Sequence, residues 1–303
     1  MNETKTRLDL PLLLISVGTV LAIVALLTLF PEGSTAVADK IFGLFTAIFG
    51  TPVLVFVFGA VVFLFGLAVS KYGKIRLGAE KPEYSTFAWV AMMICAGLGS
   101  ATVYWAFVEW AYYFNSPPLG IAAGTSKAYE FATTYNLFHW GISAWATYCV
   151  AALPVAYHFH VRKNTGLSLS AVCTAVLNKA NPGPVWKVVC RIIDVIFIFT
   201  CFGGLSITLG VSVPMVAEIV CSIFNIAPTF TTNVILILVI SVVYSLSSYV
   251  GISRGMKRIS SYNTYLAIAF CIGILIFGPT AFILKNTVNS LCLMFQNYIY
   301  MSL

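Results

Sequence analysis

Charge is what this sequence has least of. Of its 303 residues only 9% are Asp, Glu, Lys or Arg, against roughly 25% in a soluble domain. With 60% of residues hydrophobic and 15% aromatic, there are too few ionic groups to clothe a water-facing surface, which excludes an ordinary soluble globular protein. Histidine is scarce, at three residues, and the eight cysteines form neither a CxxC pair nor any Cys/His ligand spacing. A metal site of the usual spacing is therefore not expected. Cys95, Cys149, Cys201, Cys221 and Cys271 sit inside apolar stretches, where a free thiol behaves as a small buried hydrophobe. No nucleophile–base pair presents itself, so neither catalytic residues nor an enzyme is expected. The net charge of +7 is spread over short segments between apolar runs. A nucleic-acid partner would need a basic patch or stripe instead.

What the sequence has in abundance is apolar length. Seven stretches, at about 11–30, 46–70, 87–114, 131–158, 190–224, 232–250 and 263–284, reach the roughly 20 residues that cross a hydrocarbon core. Thr46 to Ser70 contains no charge at all. The first run is too long for a signal-peptide core and has no clear small-x-small cleavage site near Phe30, so it reads as a retained helix. The fold class is an all-α polytopic membrane protein with about seven transmembrane helices and the lipid bilayer as its solvent.

The basic residues give an orientation. With the N-terminus in the cytoplasm, 14 of the 17 fall inside: Lys5, Arg7, Lys71, Lys74, Arg76, Lys81, Arg162, Lys163, Lys179, Lys187, Arg191, Arg254, Lys257 and Arg258. Lys40, Lys127 and Lys285 fall outside. The positive-inside rule then predicts a cytoplasmic N-terminus and a C-terminus on the outer side. The loop from Asn164 to Pro184 is expected to carry a short surface helix around 167–178. The segment 285–303 is weakly amphipathic, with Asn286, Asn289, Ser290 and Gln296 among apolar residues, as a helix lying along the interface would be.

Four places could carry chemistry. The string AGLGSA, containing Gly97, Gly99, Ser100 and Ala101, permits close helix packing or a broken helix whose carbonyls face a cavity. Glu109 is a carboxylate inside a span, and such a group is costly and a functional candidate; pairing within the structure is the competing role. Trp140, Trp145 and Tyr148 fall within an arc of roughly 140° if the stretch is one helix. They could form an interface belt, core packing, or one wall of an aromatic cage for a quaternary ammonium ion. Gly203, Gly204, Ser206, Thr208, Gly210 and Ser212 form a small, polar strip that suits either a hard cation or tight packing.

The string FAWVAMMICAGLGSATVYWAFVEWAYYFNSPPLG and the FHWGISAWATY that follows resemble the betaine/carnitine/choline transporter family, with HW-x4-W-x2-Y as the most specific mark. TLGVSVP and GISRGMKRISSYNTYL continue the likeness, which covers essentially the whole chain. The resemblance implies a leucine-transporter-like architecture of two inverted five-helix repeats preceded by two helices. On that pattern 1–86 holds the two preceding helices, 87–284 the first repeat and 285–303 an interfacial segment, while the second repeat is absent. The chain is thus expected to be an N-terminal half, from a gene fragment or a split or frame-disrupted gene, that would not transport alone.

The same resemblance assigns Trp140, Trp145, Tyr148 and Tyr112 to the substrate box, and Gly97, Gly99 and Ser100 to the flexible segment that holds substrate and couples ions. It makes Asn263 the equivalent of an arginine that replaces sodium in carnitine antiporters. A neutral residue there resembles sodium-coupled symporters, with Ser206 and Thr208 as further ion ligands; helix three itself reads more like the carnitine type. The expected activity is secondary transport of carnitine, glycine betaine or choline across the plasma (inner) membrane, with sodium as coupling ion and no other cofactor. Carnitine-type antiport and a non-transporting fragment are the alternatives. A homotrimer and a separate C-terminal half are the expected partners.

Overall fold

A computed structural model describes residues 9–78, 81–97, 99–164, 168–177, 183–251 and 255–303, with Ser100 and Ala101 described in backbone only. Lys5, Arg7, Lys179 and Arg254, four of the basic residues used for orientation, lie outside the described residues. Helices α1 (Leu10–Leu29), α2 (Pro31–Val69), α3 (Thr86–Gly97) and α4 (Ser100–Asn115) come first. Then follow α5 (Ser126–Trp140), α6 (Ile142–Ala156), α7 (Leu169–Val176) and α8 (Pro184–Phe224). The chain continues through α9 (Phe230–Val250), α10 (Lys257–Phe277), α11 (Thr280–Gln296) and a single turn, α12 (Tyr298–Ser302). No strand occurs among the described residues.

Among the described residues five helices, α1, α2, α8, α9 and α10, are long and apolar enough to cross a bilayer, and α3 with α4 is a bent pair that makes a sixth if it crosses as one span. The expected span at 131–158 is present as two helices of 15 residues each, α5 and α6, divided at Gly141. The expected surface helix is α7. α2 and α8, at 39 and 41 residues, rise about 60 Å, twice the hydrocarbon thickness of roughly 30 Å. Each carries an internal proline, Pro52 and Pro214. The missing N–H of such a proline is tolerated in membrane helices because neighbours re-satisfy the freed carbonyl.

The helices gather into two compact units. The first holds α1, α2, α6, α7 and α8 as far as Leu205. Here α6 packs on α2, and α7 is fastened to α8 by side chains. Asp194 accepts hydrogen bonds from the Ser170 amide at 3.2 Å and the Ser170 hydroxyl at 2.6 Å. The Trp186 indole donates to Thr174 Oγ1 at 2.9 Å. Ser168 caps the helix through the Ala171 amide. A single carboxylate thus serves one of the amides that a helix start leaves orphaned. Asp9 caps α1 through the Leu12 amide and pairs with Arg191 at 2.5 Å; the Arg191 hydrogen bond holds the Asp9 carboxyl below its usual range.

The second unit holds α3, α4, α5, α9, α10, α11 and α8 from Ser206 onward. Its core lies between α5 and α11. SKAYEFATTYNLFHW is too polar for lipid, with Lys127, Glu130, Asn136 and His139 in one short helix. The chain encloses it: Ala128, Phe131, Ala132, Tyr135 and Phe138 recur at helical spacing and are buried. Phe131, Tyr135 and Phe138 pack with Met294 and Met301, and Thr133 and Ser290 share a hydrogen bond of 2.8 Å. Lipid is as apolar as these side chains, so contact and hydrogen bonding rather than the hydrophobic effect hold such helices together. In contrast α9, which carries no charged residue, has no buried residue.

The Asp194 contacts make α7 a dependent element, since eight residues are too few for an isolated helix. Asp194→Ala should release α7 with a loss of about 1.5–3 kcal/mol, the worth of hydrogen bonds to a charged group. Hydrogen exchange over 169–176 should accelerate while α2 and α6 keep their protection.

Candidate functional site

The chemistry-bearing residues concentrate at helix interruptions. The first divides α3 from α4. Gly97 ends α3, Gly99 is the extended N-cap of α4 with φ −82° and ψ −170°, and the flanking helix axes differ by 55°. The sequence offered tight packing or a broken helix here, and the helix is broken. A Cβ on Gly99 would meet Thr208 Cγ2 at 3.9 Å, so the interruption faces α8 at one of the two hydroxyl residues proposed as ion ligands. Thr208 is half-buried, Ser206 is exposed, and the Thr208 carbonyl accepts from the buried Ser212 hydroxyl at 2.5 Å. The Ser100 side chain lies outside the described residues.

Within α3, Cys95 meets α10. Asn263 Nδ2 donates to Cys95 Sγ at 3.4 Å, and Cys95 lies 3.6 Å from the Ser260 carbonyl and 3.8 Å from Thr264 Oγ1. The residue singled out for ion coupling therefore rests on the helix that leads into the interruption.

The second interruption is Gly141. With φ −97° and ψ −138° it stops α5 one residue after Trp140, and a Cβ there would lie 2.4 Å from the Leu137 carbonyl oxygen. A side chain at 141 is excluded by that oxygen, which explains the glycine. The arc of roughly 140° computed for one continuous helix does not apply across the break. Trp140 belongs to the second unit, and Trp145 and Tyr148 to the first. On α6, Trp145 and Tyr148 face the same way, their ring centroids 6.0 Å apart and tilted by 48°. Tyr148 is 61% exposed.

Trp140 is anchored from α4. Its Nε1–H donates to Glu109 Oε2 at 2.6 Å, and His139 Nδ1 lies 2.8 Å from Glu109 Oε1. Tyr113 Oη stands 3.0 Å from the same His139 nitrogen. Glu109 is 9% exposed, so the pairing that competed with a functional reading in the sequence is present. Tyr112, on the next residue round α4, is exposed and its ring lies 6.1 Å from that of Trp105. His139 is the histidine of HW-x4-W-x2-Y, and the motif gave it no role of its own; the structure pairs it with Glu109.

A cavity of about 450 Å³ opens between α4, α5 and α11, lined by Trp110, Tyr129, Thr133, Asn136 and Ser290 among others. Asn136 Oδ1 is buried there without a partner. Among the described residues no group of three His, Cys, Asp or Glu side chains could hold a metal ion.

These helices define a polytopic all-α membrane protein with its polar residues at broken helices. The chain belongs to the betaine/carnitine/choline family of transporters, whose profile matches residues 11–303. It is 44% identical over 234 residues to a carnitine transporter of Acinetobacter baumannii, covering 77% of this chain and 42% of that one. A probable glycine betaine transporter of Desulfitobacterium hafniense is 34% identical over 271 residues, covering 89% and 53%. An ectoine/hydroxyectoine transporter of Virgibacillus pantothenticus is 32% identical over 302 residues, covering 99% and 59%. The chain spans about half the length of the curated relatives it matches.

The packing at Gly99 sets a size limit. Gly99→Ala brings a methyl to ordinary contact with Thr208 and should change stability little. Gly99→Leu must displace Thr208 or the start of α4 and should cost about 1–3 kcal/mol, the usual penalty of overpacking. Thermal unfolding of the two purified variants in the same detergent checks the difference.

Proposed function

We propose that the chain is the N-terminal part of a secondary transporter for a quaternary ammonium compound of the carnitine, betaine or choline class. The observation that carries this is the pair of rings on α6, Trp145 and Tyr148, on a chain whose relatives bear the names carnitine and glycine betaine transporter. A trimethylammonium group has no N–H to donate, so aromatic faces attract it where hydrogen-bond acceptors gain nothing. Such contacts are worth about 2 kcal/mol or more when desolvated. In this reading Trp145 and Tyr148 of the first unit, and Trp140 and Tyr112 of the second, are substrate-binding rings, and Gly97, Gly99 and Ser100 supply backbone at a broken helix, where membrane transporters place their ligands.

Sodium is the coupling ion of the proposal. Asn263 is neutral and bonded to Cys95, so position 263 itself carries no fixed positive charge, and Ser206 and Thr208 offer oxygen atoms, the ligand type that hard cations take. Carnitine-type antiport is the competing mode, and it needs no sodium. The protein is placed in the inner membrane with its N-terminus cytoplasmic, as the basic residues direct. The two-repeat architecture, the homotrimer and a separate C-terminal half belong to the same proposal.

Tryptophan fluorescence of the purified chain, titrated with carnitine, glycine betaine and choline in sodium and in potassium buffer, tests it. The expected result is saturable binding that is tighter in sodium. Trp145→Leu and Tyr148→Leu should each weaken binding by about 1–2 kcal/mol, roughly tenfold per 1.4 kcal/mol, while phenylalanine costs less because a ring face remains. Leucine variants with unchanged affinity return these rings to packing. Equal affinity in sodium and potassium favours antiport. In a sodium-dependent protein, Asn263→Arg should reduce the difference between the two buffers.

A further inference from the structure

The Glu109 carboxylate has an unusual placing for a group so costly to bury. It is not spent on a lysine or arginine. Each oxygen takes one ring nitrogen from consecutive residues at the very end of α5, Oε1 from His139 and Oε2 from Trp140. An indole N–H could be satisfied by any backbone carbonyl, and Trp110 does so with the Phe107 carbonyl at 3.0 Å. Trp140 instead meets a carboxyl oxygen at 2.6 Å, closer than an ordinary N–H···O bond.

From this we infer that Glu109 is a positioning residue for the Trp140 indole, fixing the ring and making its face more attractive to a cation. Two physical consequences support the assignment. Trp140 is the last residue of α5, and Gly141 releases the backbone immediately after it, so helix geometry alone would leave the ring free to fray with the terminus. The bond from α4 removes that freedom. Secondly, a carboxylate accepting a hydrogen bond from the indole polarises the N–H bond and moves electron density into the ring. The negative face that draws a quaternary ammonium ion is thereby strengthened. His139 occupies the other oxygen and keeps the carboxylate from turning, with Tyr113 behind it.

The inference deepens the function proposed above and rests on it where binding is concerned; the anchoring itself does not. The test therefore has two arms, both on the whole chain in lipid nanodiscs. The first follows the indole N–H resonances of isotope-labelled tryptophan; there are six, and Trp140→Phe identifies the one that matters. Glu109→Gln should shift the Trp140 resonance towards that of a neutral hydrogen bond. Glu109→Ala should let its N–H exchange with solvent. Unchanged position and unchanged protection in both variants would overturn the anchoring.

The second arm compares glycine betaine with tert-butylacetate, the same shape without the positive charge. Glu109→Gln keeps the size of the side chain, and should weaken glycine betaine about tenfold while leaving tert-butylacetate within about twofold. Equal losses for both ligands would mean that Glu109 acts on shape alone and would sink the electronic part. If the wild-type chain binds neither ligand yet the first arm gives the expected shifts, the function reading falls and the anchoring of Trp140 by Glu109 stands.

Discussion

Everything in this structure follows from the need to satisfy backbone polar groups without water. In a bilayer an exposed N–H or C=O costs several kcal/mol, so the chain is helical wherever it can be, and each departure from helix must be justified locally. At the junction of α3 and α4 the departure is made of glycine and small residues. At Gly141 the glycine is imposed by the Leu137 carbonyl, which lies too close for a Cβ. At the end of α9, Gly251 takes φ 87°, a left-handed value that other residues adopt at a cost. The candidate substrate and ion residues cluster beside the first two of these points because that is where backbone and polar side chains are available.

The same constraint sorts the helices. α9 carries no charged residue and has no buried residue. α5 carries Lys127, Glu130, Asn136 and His139, and is the helix whose face is most completely covered in the second unit. A polar helix in a membrane protein has to be wrapped by other helices, and the wrapping around α5 positions Trp140 at its tip. Glu109 completes the arrangement from α4. The helix nobody would place in lipid is thus the one that holds an aromatic residue tied by hydrogen bond to a neighbouring helix.

Much of this was legible in the sequence. Charge scarcity and apolar length are properties of composition, so the membrane class and the approximate spans could be read directly. The family could be read from HW-x4-W-x2-Y and the strings around it. The Gly141 break could not, because FHWGISAW has the apolar character of one continuous span and a lone glycine is common in membrane helices. The cost of a Cβ at 141 depends on where the Leu137 carbonyl points, which no periodicity encodes. The partner of Glu109 was likewise out of reach, since 30 residues separate it from His139 and only the packing of α4 on α5 brings them together. The helices α2 and α8 continue beyond the apolar runs at 46–70 and 190–224, past the charges at Asp39, Lys40 and Lys187, because a backbone ladder does not stop where hydropathy does.

The joint at Gly141 also bears on how such a protein can change over evolutionary time. Within α6, gaining or losing one residue ahead of Trp145 turns that tryptophan and Tyr148 by about 100° around their own helix axis. Trp140 is untouched by such an event, because it lies before the joint and is tied to α4. A lineage can therefore re-aim one group of aromatic residues through a single codon insertion while the other stays in register. Two groups of aromatic residues in one short stretch of sequence are in this way free to drift separately, and the glycine between them is the residue that uncouples their histories.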